Sequence, residues 1–234
     1  MKISATPGPL PQSRRPTPAH KQDAVYATLL NRLASGYYRF GQAVMVREIA
    51  EQTGASKHPI MAALKDLRAE GFVVITAQVG CQVISPSRRE IADFFVMFSR
   101  MEGVMAGFAA ERRRESDLDR LRAINAQIAS LPVRNAASGE RYRMLNREFH
   151  TAIHQMGQSA ALHARLGTTW AMSDFLISQS NEFSRRLREA AAEHDQIIKA
   201  IARGSAPKAR TAMEEHILSF RLKVIENIHP GAGG

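Results

Sequence analysis

The sequence of 234 residues predicts a mainly helical protein with one short β-hairpin. Apolar residues recur at three- and four-residue spacing over most of the chain, which is the period of amphipathic helices. The exception is FVVITAQVGCQVISP, residues 72–86, where two β-rich runs flank a glycine. No strand pattern follows this stretch. We therefore expect an N-terminal unit of helices and a hairpin, followed by an all-helical bundle.

Two helices open the N-terminal unit. In DAVYATLLNRLASGYY the apolar stripe indicates a helix that begins near Lys21 and stops at Gly36. A shorter helix begins near Val46 in VREIAEQTG and ends at Gly54, because glycine readily adopts the left-handed conformation that closes a helix.

The third helix and the hairpin complete this unit. Ser56 is a good N-cap, and Pro59 is tolerated because it falls in the first turn. The helix stops at Gly71, and Gly80 lies at the turn of the hairpin, which ends at Pro86. Three helices followed by a two-stranded hairpin form a winged helix-turn-helix, in which the second and third helices are the helix-turn-helix itself.

The rest of the chain is expected to be helical almost to its end. One long helix starts in RREIADFFVMFSRMEG, and further helices are predicted over residues 116–130, 138–156, 159–182, 183–203 and 206–228. This pattern indicates a bundle of about six helices. The predicted division is a disordered arm (1–20), the winged helix-turn-helix (21–86), the helical domain (87–228) and a tail (229–234).

Charge and composition narrow the function classes. Of the net charge of +10, residues 1–90 contribute 12 Lys and Arg against 6 Asp and Glu, so the excess is concentrated in the N-terminal part. Such a balance favours a polyanionic partner, although it could serve solubility alone. The sequence contains no apolar run of membrane-spanning length, and Cys81 is its only cysteine. We expect a cytoplasmic protein with no membrane association.

Histidines in three predicted helices form a candidate metal site. NREFH places Asn146 and His150 at positions i and i+4 of one helix, while His194 and His216 lie in two others. Imidazoles from separate helices can converge in a bundle core on a divalent transition metal. The alternative is that the three histidines are unrelated surface or core residues.

The N-terminal unit resembles the DNA-binding domain of the GntR family of bacterial transcription regulators. The resemblance rests on the helix order, on the segments REIAE, SKHPIMAAL and LRAEGFV, and on the glycine of the wing. It implies a double-stranded DNA operator as partner. By analogy, the DNA contacts would fall on Arg47, Ser56, Lys57, His58 and Gly80. The alternatives are that Lys57 and His58 are solvated surface and that Arg47 pairs with Glu51.

One departure from the family pattern affects the predicted base specificity. Where the family usually has Arg and Glu, this chain has Met61 and Ala62. Met61 cannot make a bidentate contact to guanine, though it can contact a thymine methyl group. The resemblance therefore implies an operator unlike the usual half-sites of the family, richer in A·T.

The helical part resembles the FCD effector domain found in the FadR branch of the same family. NREFH, EHDQII and EEHI carry this resemblance. It implies a divalent metal, zinc or nickel, held by the set Asn146, His150, His194 and His216, where Asn146 replaces the usual Asp. It also implies a homodimer. An inward-facing Arg100 would bind a small carboxylate effector, unless it forms a salt bridge with Glu102 or another helix.

The function expected from these features is a ligand-responsive transcriptional regulator, a repressor, and not an enzyme. One alternative is a metal-dependent hydrolase that uses the three histidines to activate water. Another is a DNA-binding scaffold whose pocket is vestigial. Trp170, Ser178 and Gln179 share one predicted helix and could line the pocket, but ordinary packing is the simpler interpretation.

Overall fold

The computed structural model describes residues 21–77, 80–132, 136–180 and 187–228. The predicted N-terminal arm (1–20) and tail (229–234) lie outside the described residues, as do residues 78–79 and 133–135 and the predicted boundary between two helices at 182–183.

The first unit is a winged helix-turn-helix, as predicted. Its elements are α1 (Lys21–Ala34), α2 (Val46–Thr53), α3 (Lys57–Ala69), β1 (Val73–Thr76) and β2 (Gly80–Val83). The two strands pair antiparallel, with Val73 opposite Val83 and Thr76 opposite Gly80. Gly54 closes α2 in the left-handed conformation, with φ at 65°.

The apolar stripes of these helices meet in one small core beneath the hairpin. Each contributes residues at three- and four-residue spacing, so one face of every helix is removed from water. The members of this core include Val25, Leu29, Leu33, Ile49, Ile60, Leu64, Leu67 and Phe72.

The second unit is a helical bundle. Its helices are α4 (Arg88–Arg112), α5 (Glu115–Ala129), α6 (Ala136–Met156), α7 (Ala160–Ser178), α8 (Leu187–Ala202) and α9 (Ala206–Asn227). A capping box formed by Ser87 and Glu90 starts α4. Helix α9 packs closely against α4, because Gly103 leaves room for the side chain of Glu214. None of the helices among the described residues has the length and apolar content needed to cross a membrane.

The C-terminal half of α7 joins the two units. The ring of Phe175 packs edge-on against Phe40 and Phe72 of the winged unit, with ring centroids 5.4 and 6.1 Å apart. Gly36, just after α1, lies against Ser178 at the end of α7. The sequence did not predict this contact, because hydrophobic periodicity identifies buried faces but not their partners.

Gly36→Ala is expected to destabilise the protein. Gly36 has φ of 77°, and a Cβ there would lie 3.2 Å from the Cβ and Oγ of Ser178. The substitution therefore adds backbone strain of about 1–3 kcal/mol and also crowds the contact between the units. Urea unfolding measures the change in the free energy of unfolding.

Gly41→Ala is the matched control for this substitution. Gly41 has a similar φ of 70°, but no atom lies within 4 Å of a Cβ built there. The two variants share the backbone strain, so a larger loss for Gly36→Ala reports the contact with Ser178. Equal losses in the free energy of unfolding would mean that the close approach of the added Cβ to Ser178 costs no stability.

Candidate metal centre and nucleic-acid interface

The three predicted histidines converge in the core of the bundle. His150 comes from α6, His194 from α8 and His216 from α9, and all are almost completely buried. One ring nitrogen of each lies within 4.8 Å of the corresponding nitrogens of the other two. The ring centroids are 4.7–5.7 Å apart. The helix packing thus brings together residues that are up to 66 positions apart in the sequence.

Each imidazole is held through Nδ1 by an oxygen. The Nδ1 atom of His150 is 2.7 Å from Glu102 Oε2, and that of His216 is 2.7 Å from Glu193 Oε2. His194 Nδ1 is 3.1 Å from Oδ1 of Asn125, whose amide nitrogen donates to the Ala191 carbonyl. Because these oxygens accept, each Nδ1 carries the proton and each Nε2 presents a lone pair.

The Nε2 atoms of the cluster lack hydrogen-bond partners within the described part of the chain. In His150, His194 and His216 the Nε2 atom is buried and has no hydrogen-bond partner among the described residues. Buried polar atoms are rarely left unpaired. Three imidazole lone pairs, each fixed in orientation by an oxygen on the opposite ring nitrogen, form the donor set that transition metals require. The residues present therefore fit a divalent metal.

The electrostatics of the cluster favour the neutral imidazoles that a metal needs. Burial lowers the pKa of His150 to about 4, although Glu102 opposes this shift. Burial and the neighbouring His216 place the pKa of His194 well below its ordinary value. Both rings are consequently neutral at physiological pH, and no proton has to be displaced before a metal binds.

Glu102 organises one side of the site, and the sequence interpretation missed this role. Its carboxylate is completely buried and accepts hydrogen bonds from His150, from His154 Nε2 at 2.7 Å and from Trp170 Nε1 at 2.9 Å. Burial alone would raise the pKa of this carboxyl, but the contacts with His154 and His150 lower it well below its usual range. A single acid on the apolar stripe of α4 was the signal that could have identified it.

The prediction that Arg100 faces the pocket is wrong. Its side chain is 67% exposed and forms an ion pair with Glu214 of α9. It borders a shallow apolar groove on the surface with Met101 and Leu162. The reason is helical periodicity: Phe98 and Glu102 point into the bundle, so the residue midway between them points outward.

Asn146, the fourth candidate ligand, and His154, one turn beyond His150, have different surroundings. Asn146 is buried one turn before His150 and accepts a hydrogen bond from the Tyr142 hydroxyl at 3.3 Å. It borders a narrow cavity next to His216, so its role as a fourth ligand remains a prediction. His154 is bound by Glu102 and lies outside the three-histidine cluster.

The predicted DNA-contacting residues lie around the start of α3. Ser56 precedes this helix with extended backbone, but its hydroxyl makes no capping hydrogen bond. Ser56, Lys57 and His58 are exposed, and Gly80 is exposed at the start of β2 with φ of 106°. All four residues are therefore accessible to a partner.

Arg47 and Met61, the other two predicted DNA contacts, each contact another part of the winged unit. Arg47 forms an ion pair with Glu51 at 2.8 Å, as the alternative interpretation anticipated. Both side chains are more than half exposed, and such an i, i+4 pair contributes only about 0.3–0.5 kcal/mol, so it competes weakly with a phosphate. Met61 is half-buried and packs against the core of the unit.

Comparisons with known families agree with this architecture. The model of the bacterial regulatory proteins of the gntR family matches residues 21–83, and the FCD domain model matches residues 93–219, more than half of the chain. The chain belongs to the GntR family. It is a GntR-type transcriptional regulator with an FCD effector domain, and the winged unit is its DNA-binding part.

Curated relatives of this GntR regulator are transcriptional regulators as well. The Exu regulon transcriptional regulator of Escherichia coli strain K12 is 26% identical over 223 residues, covering 84% of this chain and 81% of that protein. The probable D-xylose utilization operon transcriptional repressor of Paenarthrobacter nicotinovorans is 23% identical over 210 residues, covering 89% and 90%. These relatives, like the family, are not enzymes, so the hydrolase alternative is set aside.

Solved structures show the same fold. Escherichia coli McbR/YncC superposes with a TM-score of 0.74 at 18% identity, covering 89% of this GntR regulator and 98% of that chain. A GntR regulator from Rhodococcus sp. RHA1 superposes with a TM-score of 0.70 at 14% identity, covering 89% and 99%. At such identities the likeness supports the shared fold alone.

Proposed function

We propose that this regulator is a homodimeric repressor whose affinity for a near-palindromic operator responds to a small carboxylate bound in a metal-containing pocket. The observation that carries the proposal is the convergence of three buried Nε2 atoms without partners, each on a ring whose Nδ1 is held by an oxygen. Burial of three nitrogen atoms without hydrogen-bond partners costs free energy, and a bound ligand that pairs with them would remove this cost.

The proposed metal is zinc or nickel. Imidazole nitrogens suit both ions, and the Nε2 atoms of His150, His194 and His216 would hold either one. Asn146 would add a carbonyl oxygen without charge. When bound, the metal supplies a Lewis-acidic position for a carboxylate oxygen of the effector. This role replaces the one that Arg100 was predicted to have.

The cavity beside His216 would have to change its size when an effector binds. It is lined by Asn146, Trp170, Ser173 and four apolar side chains, and has room for about one water molecule. A carboxylic acid therefore needs this cavity to widen. An effector that binds the widened form more tightly shifts the equilibrium towards it, which is the only way a ligand can act on DNA affinity.

At the DNA end, we propose that α3 enters the major groove and reads bases through Lys57 and His58. Ser56, Arg47 and the wing at Gly80 would bind phosphates, and Met61 would contact a thymine methyl group. Two copies would place their recognition helices about 34 Å apart, one turn of DNA. Repression is supported by the Paenarthrobacter relative, which is named as a probable transcriptional repressor. Since the operator is chromosomal, we expect the protein in the cytoplasm.

The proposal is tested by selecting bound sequences from random duplex DNA with the zinc-loaded protein. We expect a two-fold symmetric site bound by two chains. In a panel of small carboxylic acids, at least one should change the operator Kd by about fivefold or more. A single bound chain would contradict the dimer. If no acid changed the Kd of zinc-loaded protein, the scaffold with a vestigial pocket would be the better account.

Glu102→Gln is expected to lower zinc affinity by about 10- to 100-fold, because residues that orient metal-binding histidines contribute that much. The amide has one accepting oxygen for His150 and His154, and it lacks the negative charge. Competition with a fluorescent zinc chelator measures the Kd. Glu111→Gln, an exposed position on the same helix, is the control. Equal affinities for the two variants would show that His150 is oriented without Glu102.

A further inference from the structure

Helix α7 lines the cavity beside the histidines with Trp170, Ser173 and Ile177, and Trp170 also contacts Glu102 and His150. Trp170 lies on the cavity, and its indole Nε1 donates to Glu102 Oε1 at 2.9 Å. The other oxygen of the same carboxylate binds the Nδ1 atom of His150. The ring of Trp170 is also 4.4 Å from that of His150, measured between centroids. A change in the position of His150 therefore alters the contacts of Trp170 and, through them, the position of α7.

The other end of α7 is bound to the DNA-binding unit by the Gln179 side chain. Its amide nitrogen donates to the Tyr38 carbonyl at 3.0 Å, and its amide oxygen accepts from the Phe40 backbone N–H at 3.3 Å. Gln179 is 9% exposed, so water competes little for these two bonds. A buried side chain that joins both its polar groups to one backbone segment fixes the position of that segment.

A short path leads from this segment to the recognition helix. Phe175, one turn before Gln179, packs on Phe40 and Phe72. The backbone N–H of Phe72 donates to the Leu67 carbonyl in α3 at 2.9 Å. The ten residues from Trp170 to Gln179 span about 14 Å, and a packed helix of this length moves as a rigid element.

We propose that α7 transmits the state of the three-histidine pocket to α3, and that Gln179 is the positioning residue through which this happens. The inference rests on the proposed function in one respect, namely that the pocket is the effector site. The transmission itself is a property of the chain, so it is measurable without metal or effector. A displacement of Trp170 moves Gln179 and the segment from Tyr38 to Phe40 that is bound to it. Phe175, which packs against both Phe40 and Phe72, carries the shift to the end of α3.

The test compares amide hydrogen exchange in α3 of the full-length protein in four forms: wild type, Trp170→Phe, Gln179→Ala and the double variant. Trp170→Phe removes the hydrogen bond to Glu102 and keeps an aromatic ring. We expect it to speed exchange in residues 57–69 by about threefold or more. In the Gln179→Ala background the same change should have no further effect. Thr168→Ala, an exposed position on α7, should leave exchange in α3 unchanged.

Two outcomes overturn the proposal. Unchanged exchange in α3 for Trp170→Phe would exclude transmission along α7. An equal effect of Trp170→Phe with and without Gln179 would exclude Gln179 as the coupling residue. Should Gln179→Ala lose its fold by circular dichroism, Gln179→Met supplies the same comparison, because its side chain has a similar length and makes neither hydrogen bond.

A separate measurement distinguishes this result from a failure of the proposed function. Trp170 is the only tryptophan of the chain, so fluorescence excited at wavelengths that tyrosine does not absorb reports on the pocket. Titration of metal-free wild-type protein with zinc should change this fluorescence. An unresponsive fluorescence signal would count against the metal site, while the exchange data on the four forms would still decide whether α7 couples the two units.

Discussion

Replacing both Lys57 and His58 with alanine is expected to abolish specific operator binding while the fold remains intact. Both side chains are exposed at the start of α3, where they support no packing. If each makes one base contact worth about 1–3 kcal/mol, their joint loss weakens specific binding by about 30-fold to ~10⁴-fold. Fluorescence anisotropy with the selected operator, at one fixed salt concentration, measures this loss.

The control for this pair is Lys208→Ala with His163→Ala. These residues are also one lysine and one histidine, both exposed, but they lie in the helical domain. The control removes the same charge and should bind the operator like the wild type. Sequence-specific binding retained by the Lys57/His58 variant would remove the assignment of α3 as the recognition helix. Equal weakening in both variants would mean that only the overall charge matters.

Replacing both His150 and His194 with alanine is expected to remove the bound metal. Two of the three imidazoles are lost, and no other histidine joins the cluster among the described residues. Elemental analysis of the purified protein should fall from about one ion per chain to none. At zinc concentrations about 100-fold above Kd, the wild type should gain about 2.7 kcal/mol, or roughly 5–10 °C in Tm. The variant should gain nothing.

His163→Ala is the matched control, since this exposed histidine lies outside the cluster. It should retain both the metal and the zinc-dependent rise in Tm. Circular dichroism reports whether the double variant folds, because Glu102 and Asn125 lose buried partners in it. The single variant His216→Gln is a gentler test, since Glu193 is partly exposed and tolerates the loss better. Equal metal content in wild type and variants would eliminate the three-histidine site.

Local patterns in the sequence were sufficient for the helices, the hairpin and the metal-binding candidates. The Gly54 stop and the Ser56 start follow from backbone preferences that act over a few residues, whereas Gly80, predicted at the turn, is the first residue of β2 and pairs with Thr76. The histidines were identified because each stands in a short motif on a helix. Their convergence at 4.8 Å depends on how α6, α8 and α9 pack, which no local pattern specifies.

The orientation of side chains on a long apolar helix was the main point at which the sequence interpretation failed. Arg100 and Glu102 are two residues apart on α4, and one of them had to face the bundle. The sequence favoured the arginine as the inward residue, but the structure buries the glutamate. Burial of Glu102 is tolerable because His150, His154 and Trp170 all donate to it, and these donors come from two other helices.

The sequence by itself determined the order of elements, the family pattern and the identity of the three histidines, because each of these depends on residues that are contiguous in the chain. Only the tertiary structure decided which oxygen orients each imidazole and which end of α7 meets the DNA-binding unit. Glu102, Asn125 and Gln179 acquire their roles only from partners 48 to 141 positions away. The physical reason is that packing and buried hydrogen bonds join surfaces, whereas periodicity identifies only which surface of each helix is covered.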